Sequence, residues 1–250
     1  MRRIGEPIKR RRLARGLFPP LPLDRAGNCR HPGFANRKRT LTTPVVLAFG
    51  DSNTWGATPA TGERLGKSVR WPGVMAAALG SAYEVIEEGM RGRTIAFDDP
   101  EEAGRNGLVY FPPCLKSHAP VDLVVVSLGC NDCKARFAAS PETIAANAAR
   151  LLDAALASDC GPQGDPPLAI LVAPPPMAKL SGYAEMFAGG AEKALRLPAL
   201  YHRLAEARGI GFVEAGAFIH TSDADGIHYD PDQHAVLGAA MAEAVRMMVA

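Results

Sequence analysis

Leu123-Val124-Val125-Val126 is a run of four apolar residues with no polar alternation, and a strand of that kind has to be covered on both faces. Two-sided burial is the habit of a parallel sheet, and similar runs recur from Pro44 onward. Val45 to Phe49, Tyr83 to Glu87, Asp122 to Leu128, Leu168 to Ala173 and Ile210 to Glu214 read as five strands. Helical patterns lie between them. Trp71 to Leu79 is closed by Gly80, a natural left-handed residue after a helix end. Ser140 reads as an N-cap, with Pro141 at the first helical position and Ile144, Leu151, Leu152 and Leu156 as the apolar stripe. Ala191 to Arg208 and His234 to Val249 follow the same logic. The β-α-β-α order predicts an α/β fold, a three-layer α/β/α sandwich around a five-stranded, mainly parallel sheet with right-handed crossovers. Ligands of such sheets bind at the carboxyl ends of the strands.

The charge is divided along the chain. Residues 1–43 carry 12 Lys/Arg against 2 Asp/Glu, whereas the rest carries 16 against 24, so the overall +2 conceals a basic segment and an acidic one. The basic segment is rich in Pro and Gly and has no apolar period, so we expect a disordered arm over 1–43 and one folded domain over 44–250. Phe18-Pro19-Pro20-Leu21-Pro22 is not the apolar core of a signal peptide, and no apolar run reaches the ~18–20 residues of a membrane span. The arm's composition fits a solvated extension or a contact for an anionic partner. We take the first, with neither membrane nor nucleic acid as partner. Five cysteines, an odd number without a secretion signal, fit free thiols and a cytoplasmic location.

Chemistry gathers where strands end. The first strand runs into Gly50-Asp51-Ser52-Asn53-Thr54-Trp55-Gly56, which could display Ser52 as a nucleophile or be a turn in which Asp51 and Ser52 bond nearby amides. It is not Gly-x-Ser-x-Gly, a P-loop or a dinucleotide fingerprint. The third strand ends in Gly129-Cys130-Asn131-Asp132-Cys133. There Asn131 could donate to a developing oxyanion, while Cys130 and Cys133 form a Cys-x-x-Cys pair with a possible redox reading. Asp223-Ala224-Asp225-Gly226-Ile227-His228 supplies an imidazole and a carboxylate from one turn, the pair that a catalytic Ser needs. His220 and His234 are the competing imidazoles; His31, His118 and His202 lack an adjacent acid in sequence. After the second strand, Gly89 or Gly92 could bring a backbone amide close to an oxyanion. No residue spacing calls for a metal or other cofactor.

These blocks, taken in order, resemble the SGNH (GDSL) hydrolases. Gly50-Asp51-Ser52, the Gly92 segment, Gly129-x-Asn131-Asp132 and Asp225-x-x-His228 match the first, second, third and fifth blocks of that family. Arg70-Trp71-x-Gly73-Val74, Val85-Ile86-Glu87-Glu88-Gly89, Asp98-Asp99-Pro100 and Cys114-Leu115-x-x-His118 are similar to its bacterial arylesterase/acyltransferase, or perhydrolase-type, branch. The resemblance spans about residues 45–249 and implies a flavodoxin-like sheet. It makes Ser52 the nucleophile, His228 the base and Asp225 its orienting acid, with Asn131 and the amides of Ser52 and Gly92 as the oxyanion hole. Gly92 is chosen because Arg91-Gly92-Arg93-Thr94 aligns with a Ser-Gly-x-Thr pattern, in which Arg91 replaces a small residue. The branch further implies small-acyl esters as substrates, an alcohol or peroxide as acyl acceptor, a homo-oligomer, and a channel that Trp55, Met186 and Phe187 would line.

The expectation is therefore a serine esterase/acyltransferase. A carbohydrate O-deacetylase of the same fold, a thiol oxidoreductase using Cys130 and Cys133, and a module binding an anionic partner through the basic arm are the alternatives.

Overall fold

The computed structural model of the protein describes residues 43–249. The expected arm, with Cys29 and His31, lies outside the described residues apart from Thr43. Five strands form one sheet in the order β2-β1-β3-β4-β5: β1 Val45–Gly50, β2 Glu84–Gly89, β3 Leu123–Ser127, β4 Leu168–Ala173 and β5 Gly211–Glu214. Every neighbouring pair is parallel. This is the flavodoxin-like order, and it reverses between β1 and β3, opening a crevice at the carboxyl ends of those two strands.

Side chains alternate between the two faces, and each face has its own core. Leu47, Phe49, Val124, Val126, Leu171 and Phe212 meet α3 (Gly107–Ser117), α4 (Pro141–Leu156) and α5 (Gly190–Arg208). Val46, Ala48, Val125, Ile170, Val172 and Val213 meet α2 (Trp71–Leu79) and α6 (Pro231–Val249). Both sets are almost fully buried, as the unalternating Leu123–Val126 run requires. Gly238 permits the close approach of the last pair, because a Cβ there would lie 2.6 Å from that of Val74.

Helix ends largely follow the sequence. Ser140 accepts a hydrogen bond from the Thr143 amide at 3.1 Å, as an N-cap should. Gly80 has positive φ, but its ψ of −169° lies outside the left-handed helical region expected for it. The last helix begins three residues early, at Pro231, whose fixed φ suits a first helical position. Helix α3 was not expected, because Pro112 and Pro113 remove two N–H donors from its interior. Asn106 caps it through the Val109 amide, and buried Phe111, Cys114 and Leu115 fasten it to the sheet.

Candidate active site

At the end of β1 the chain turns directly into a four-residue helix, α1 (Ser52–Trp55). The Asp51 carboxylate caps it by accepting from the Asn53 amide at 2.9 Å, and Gly56 (φ +91°) closes it. Gly50 and Gly89, paired across β1 and β2, make this turn possible. A Cβ on Gly50 would lie 1.9 Å from Thr54 Oγ1, and one on Gly89 would lie 2.2 Å from the Trp55 nitrogen. Packing against α1 thus explains why position 89 is glycine. Ser52, nearly buried, is held at the crevice with its hydroxyl 3.0 Å from His228 Nε2.

His228 stands in a loop ahead of α6. Its Nδ1 is 2.7 Å from Asp225 Oδ2, an oxygen that also accepts from the Ala60 amide at 3.0 Å. Asp225 Oδ1 accepts from the amides of Ile227 and His228, both at 2.9 Å. Burial works against the charge on this carboxylate. The bond from His228 and the three amides outweigh it and hold its pKa well below the usual carboxylate range. The carboxylate is therefore anionic, and it fixes both the ring plane and the tautomer that leaves Nε2 able to accept a proton. The competing imidazoles are elsewhere. His234 is buried, accepts from the Trp71 amide through Nδ1 at 3.2 Å, and is pushed down to about 4 by burial and the His228 charge. His220 is exposed.

Facing Ser52 is the loop after β2. The Met90 amide donates to Gly50 O, the buried Arg93 guanidinium donates to the carbonyls of Gly50 and Glu88, and the Ile95 amide donates to both carboxylate oxygens of Asp132. Gly92, between these anchors, has φ +72°, which favours glycine. Among the described residues, neither the Gly92 amide nor the Ser52 amide donates to a protein acceptor. Asn131, just beyond β3, spends one carboxamide hydrogen on Arg93 O at 3.1 Å and keeps the other. Two amides without a protein acceptor among the described residues and one spare carboxamide hydrogen, on the segments that follow β1, β2 and β3, are donors of the kind that receives charge developing on a carbonyl oxygen.

Two carboxylates lie beneath the site. Burial raises Asp51 to about 6, against the Asn53 amide and the charges of His228 and Arg93. Burial also raises Asp132 to about 7. The neighbouring thiols move the same way, Cys130 well above its usual value and Cys133 to about 12, both chiefly by burial. A redox thiol needs the opposite shift, so nothing in this surrounding prepares Cys130 and Cys133 for disulfide chemistry.

Of the residues expected to line a channel, Trp55 adjoins the site, since it stands on the same short helix as Ser52. Phe187 is only 3 % exposed and belongs to the core. It is separated from His228 by Tyr183, which lies edge-on to both rings at 6.3 and 6.2 Å. Met186 is on the surface. The sequence reading missed Tyr183, an aromatic in a Gly-rich loop, and Arg93, a charged residue with no outward sign of burial.

The sequence also left His118 and His202 without acids, and the fold corrects this. His118 Nε2 lies 2.9 Å from Glu88 Oε1, and His202 Nδ1 lies 3.5 Å from Glu206. Glu88, Cys114 and His118 bring ligand-type atoms within 4.8 Å of one another, the one such group among the described residues. Burial and the Glu88 charge push the Cys114 thiol up to about 12. The group is a hydrogen-bonded cluster that Tyr110 joins by donating to Glu88 at 3.3 Å.

The chain matches the GDSL-like lipase/acylhydrolase family over residues 48–236. No curated protein matches it by sequence. Among solved structures it is similar to Est24, a carbohydrate acetylesterase from Sinorhizobium meliloti, with 40% identity and a TM-score of 0.80 over 82% of this chain and 99% of that one. It is equally similar to the aryl esterase of M. smegmatis, with 40% identity and a TM-score of 0.79 over the same shares. A putative arylesterase from Agrobacterium tumefaciens str. C58 shares 39% identity at a TM-score of 0.77, over 82% of this chain and 99% of that chain.

Proposed function

The chain belongs to the GDSL-like lipase/acylhydrolase family, and on that premise we propose that it is a serine esterase that cleaves small-acyl esters through an acyl-enzyme on Ser52. The observation that carries this reading is the chain of hydrogen bonds from Ser52 Oγ through His228 to Asp225. Ser52 Oγ attacks the ester carbonyl while its proton passes to His228 Nε2. The oxyanion takes hydrogen bonds from the amides of Ser52 and Gly92 and from Asn131. His228 then returns the proton to the departing alcohol as the C–O bond breaks. A second nucleophile, water, an alcohol or peroxide, gives its proton to His228 and releases the acyl group as acid, new ester or peracid.

Transfer to an alcohol or peroxide, assembly into a homo-oligomer and a cytoplasmic location extend the same reading. The location rests on the unpaired cysteines Cys114, Cys130, Cys133 and Cys160. A second reading, removal of acetyl groups from carbohydrates, is favoured by the similarity to a carbohydrate acetylesterase and uses the same residues. The deciding experiment follows p-nitrophenyl acetate turnover with and without added alcohol in wild type and Ser52→Ala, counting acid and ester products separately. A pre-steady-state burst that disappears in Ser52→Ala is expected, with new ester when alcohol is present. Full activity in Ser52→Ala removes the mechanism; faster turnover of acetylated sugars than of aryl acetates establishes the second reading.

A further inference from the structure

The mouth of the site carries two guanidinium groups that no carboxylate among the described residues neutralises. Arg64 and Arg91 are both exposed, and both face the Trp55 ring, with Cζ atoms 5.0 and 5.6 Å from its centroid. Among the described residues six of the eleven arginines meet an acid within 4 Å; Arg64 and Arg91 do not, and Glu63 beside Arg64 reaches neither. Arg64 is fixed by donating from Nε to the Trp55 carbonyl at 3.0 Å.

Three connections tie the pair to the reacting atoms. Trp55 stands three residues after Ser52 on one helical turn, a spacing that puts side chains on the same face. Arg91 immediately precedes Gly92. Its guanidinium reaches the 57–64 loop, where a Cβ added to Gly62 would lie 2.9 Å from Arg91 Nη2, and that loop also gives the Ala60 amide to Asp225. The loop therefore joins the Arg91 head group to the acid that orients His228. The aromatic face tolerates two cations but does not neutralise them. Asp225, already holding His228 and three amides, has no acceptor to spare.

We propose that Arg91, with Arg64, makes this site select esters whose alcohol part carries a negative charge, such as a carboxylate; the proposal rests on the esterase reading above. Ser52 is nearly buried and the two arginines are exposed, so with the small acyl group of the esterase reading bound at Ser52 the larger alcohol part is what extends to them. A carboxylate there relieves the mutual repulsion of the two cations and pairs bidentately with guanidinium.

The test compares kcat/KM for 4-acetoxybenzoate with that for its neutral isostere 4-acetoxybenzamide, as a ratio within each protein, which cancels their intrinsic reactivity. Arg91→Ser is expected to lower the anion-to-neutral ratio about fivefold, chiefly through KM for the anion, as befits a partly exposed charge pair. Arg91→Lys should keep part of the preference. In wild type, raising NaCl from about 0.05 to about 0.5 M should lower the same ratio by screening. A ratio that is insensitive to salt in wild type overturns the proposal even if Arg91→Ser is inactive, and an unchanged ratio in an active Arg91→Ser does so too. Wild type that turns over neither ester refutes the esterase reading, whereas activity on both with a fixed ratio refutes only the selection.

Discussion

Replacing Asp225 with Asn tests how the imidazole is held, because the two carboxylate oxygens are engaged differently. Oδ1 accepts two backbone amides, those of Ile227 and His228; Oδ2 accepts the Ala60 amide and faces His228 Nδ1. An Asn side chain can put its NH2 group at only one of these places. At the Oδ1 position it opposes two buried N–H groups. At the Oδ2 position it opposes only the Ala60 amide and can itself donate to Nδ1. The second orientation saves one buried unsatisfied donor, about 1–3 kcal/mol, and is favoured by a factor of about 5 to 150. It also forces the proton onto Nε2, which then cannot accept from Ser52. The minority with the right tautomer has a neutral amide beside the imidazolium in place of a carboxylate. Together these place kcat for p-nitrophenyl acetate about 10³–10⁴-fold below wild type, the scale known for this change in a serine triad. The lost acceptor for Ala60 lowers stability by about 1–3 kcal/mol, read as a fall in Tm. A folded Asp225→Asn protein that keeps more than about a tenth of wild-type kcat would refute the argument from tautomers.

Two further substitutions separate the roles beside Ser52, the proposed nucleophile. Asn131→Ala removes a side-chain donor and should cost about 10²–10³ in kcat for p-nitrophenyl acetate with little change in KM; an effect on KM alone would take Asn131 out of the oxyanion site. Asp132→Asn tests the carboxyl that burial raises to about 7. Below pH 4 the carboxyl is protonated in both states. Above that the unfolded chain ionises first while the folded chain keeps its proton, so wild-type stability falls between about pH 4 and 7 and then levels. Asn carries no such proton. Its stability relative to wild type should therefore rise from pH 5 to pH 8, by about 3 kcal/mol for two pH units, measured by urea unfolding at both pH values. An unchanged or falling difference contradicts the raised pKa.

How much of this was legible follows from where each residue stands. β1, β3 and β4 are covered on both faces, so burial left their sequences apolar without interruption. β2 is an edge strand containing Glu84, Glu87 and Glu88; its partial exposure tolerates charge, and its end two residues beyond the expected one carried no apolar signal. Ser52 and Asn131 could be found because a parallel sheet brings strand ends to one edge, where polar residues next to apolar runs need a reason to be there, and Asp225 and His228 because an acid and an imidazole share one turn ahead of the last helix. Arg93 could not. A charged residue in a Gly-rich loop reads as solvated, yet this one is 2 % exposed, 4.1 Å above the Phe49 ring, and donates to two carbonyls. Its guanidinium binds the end of β1 to the end of β2, a long-range function with no local pattern. His118 was misjudged for the same reason: its acid, Glu88, is thirty residues away in sequence and adjacent only once α3 lies across β2. A linear reading therefore recovers the groups proposed to react more readily than the groups that hold them, because the first are marked by strand ends or by an acid and imidazole in one turn, and the second by contacts that exist only in the fold.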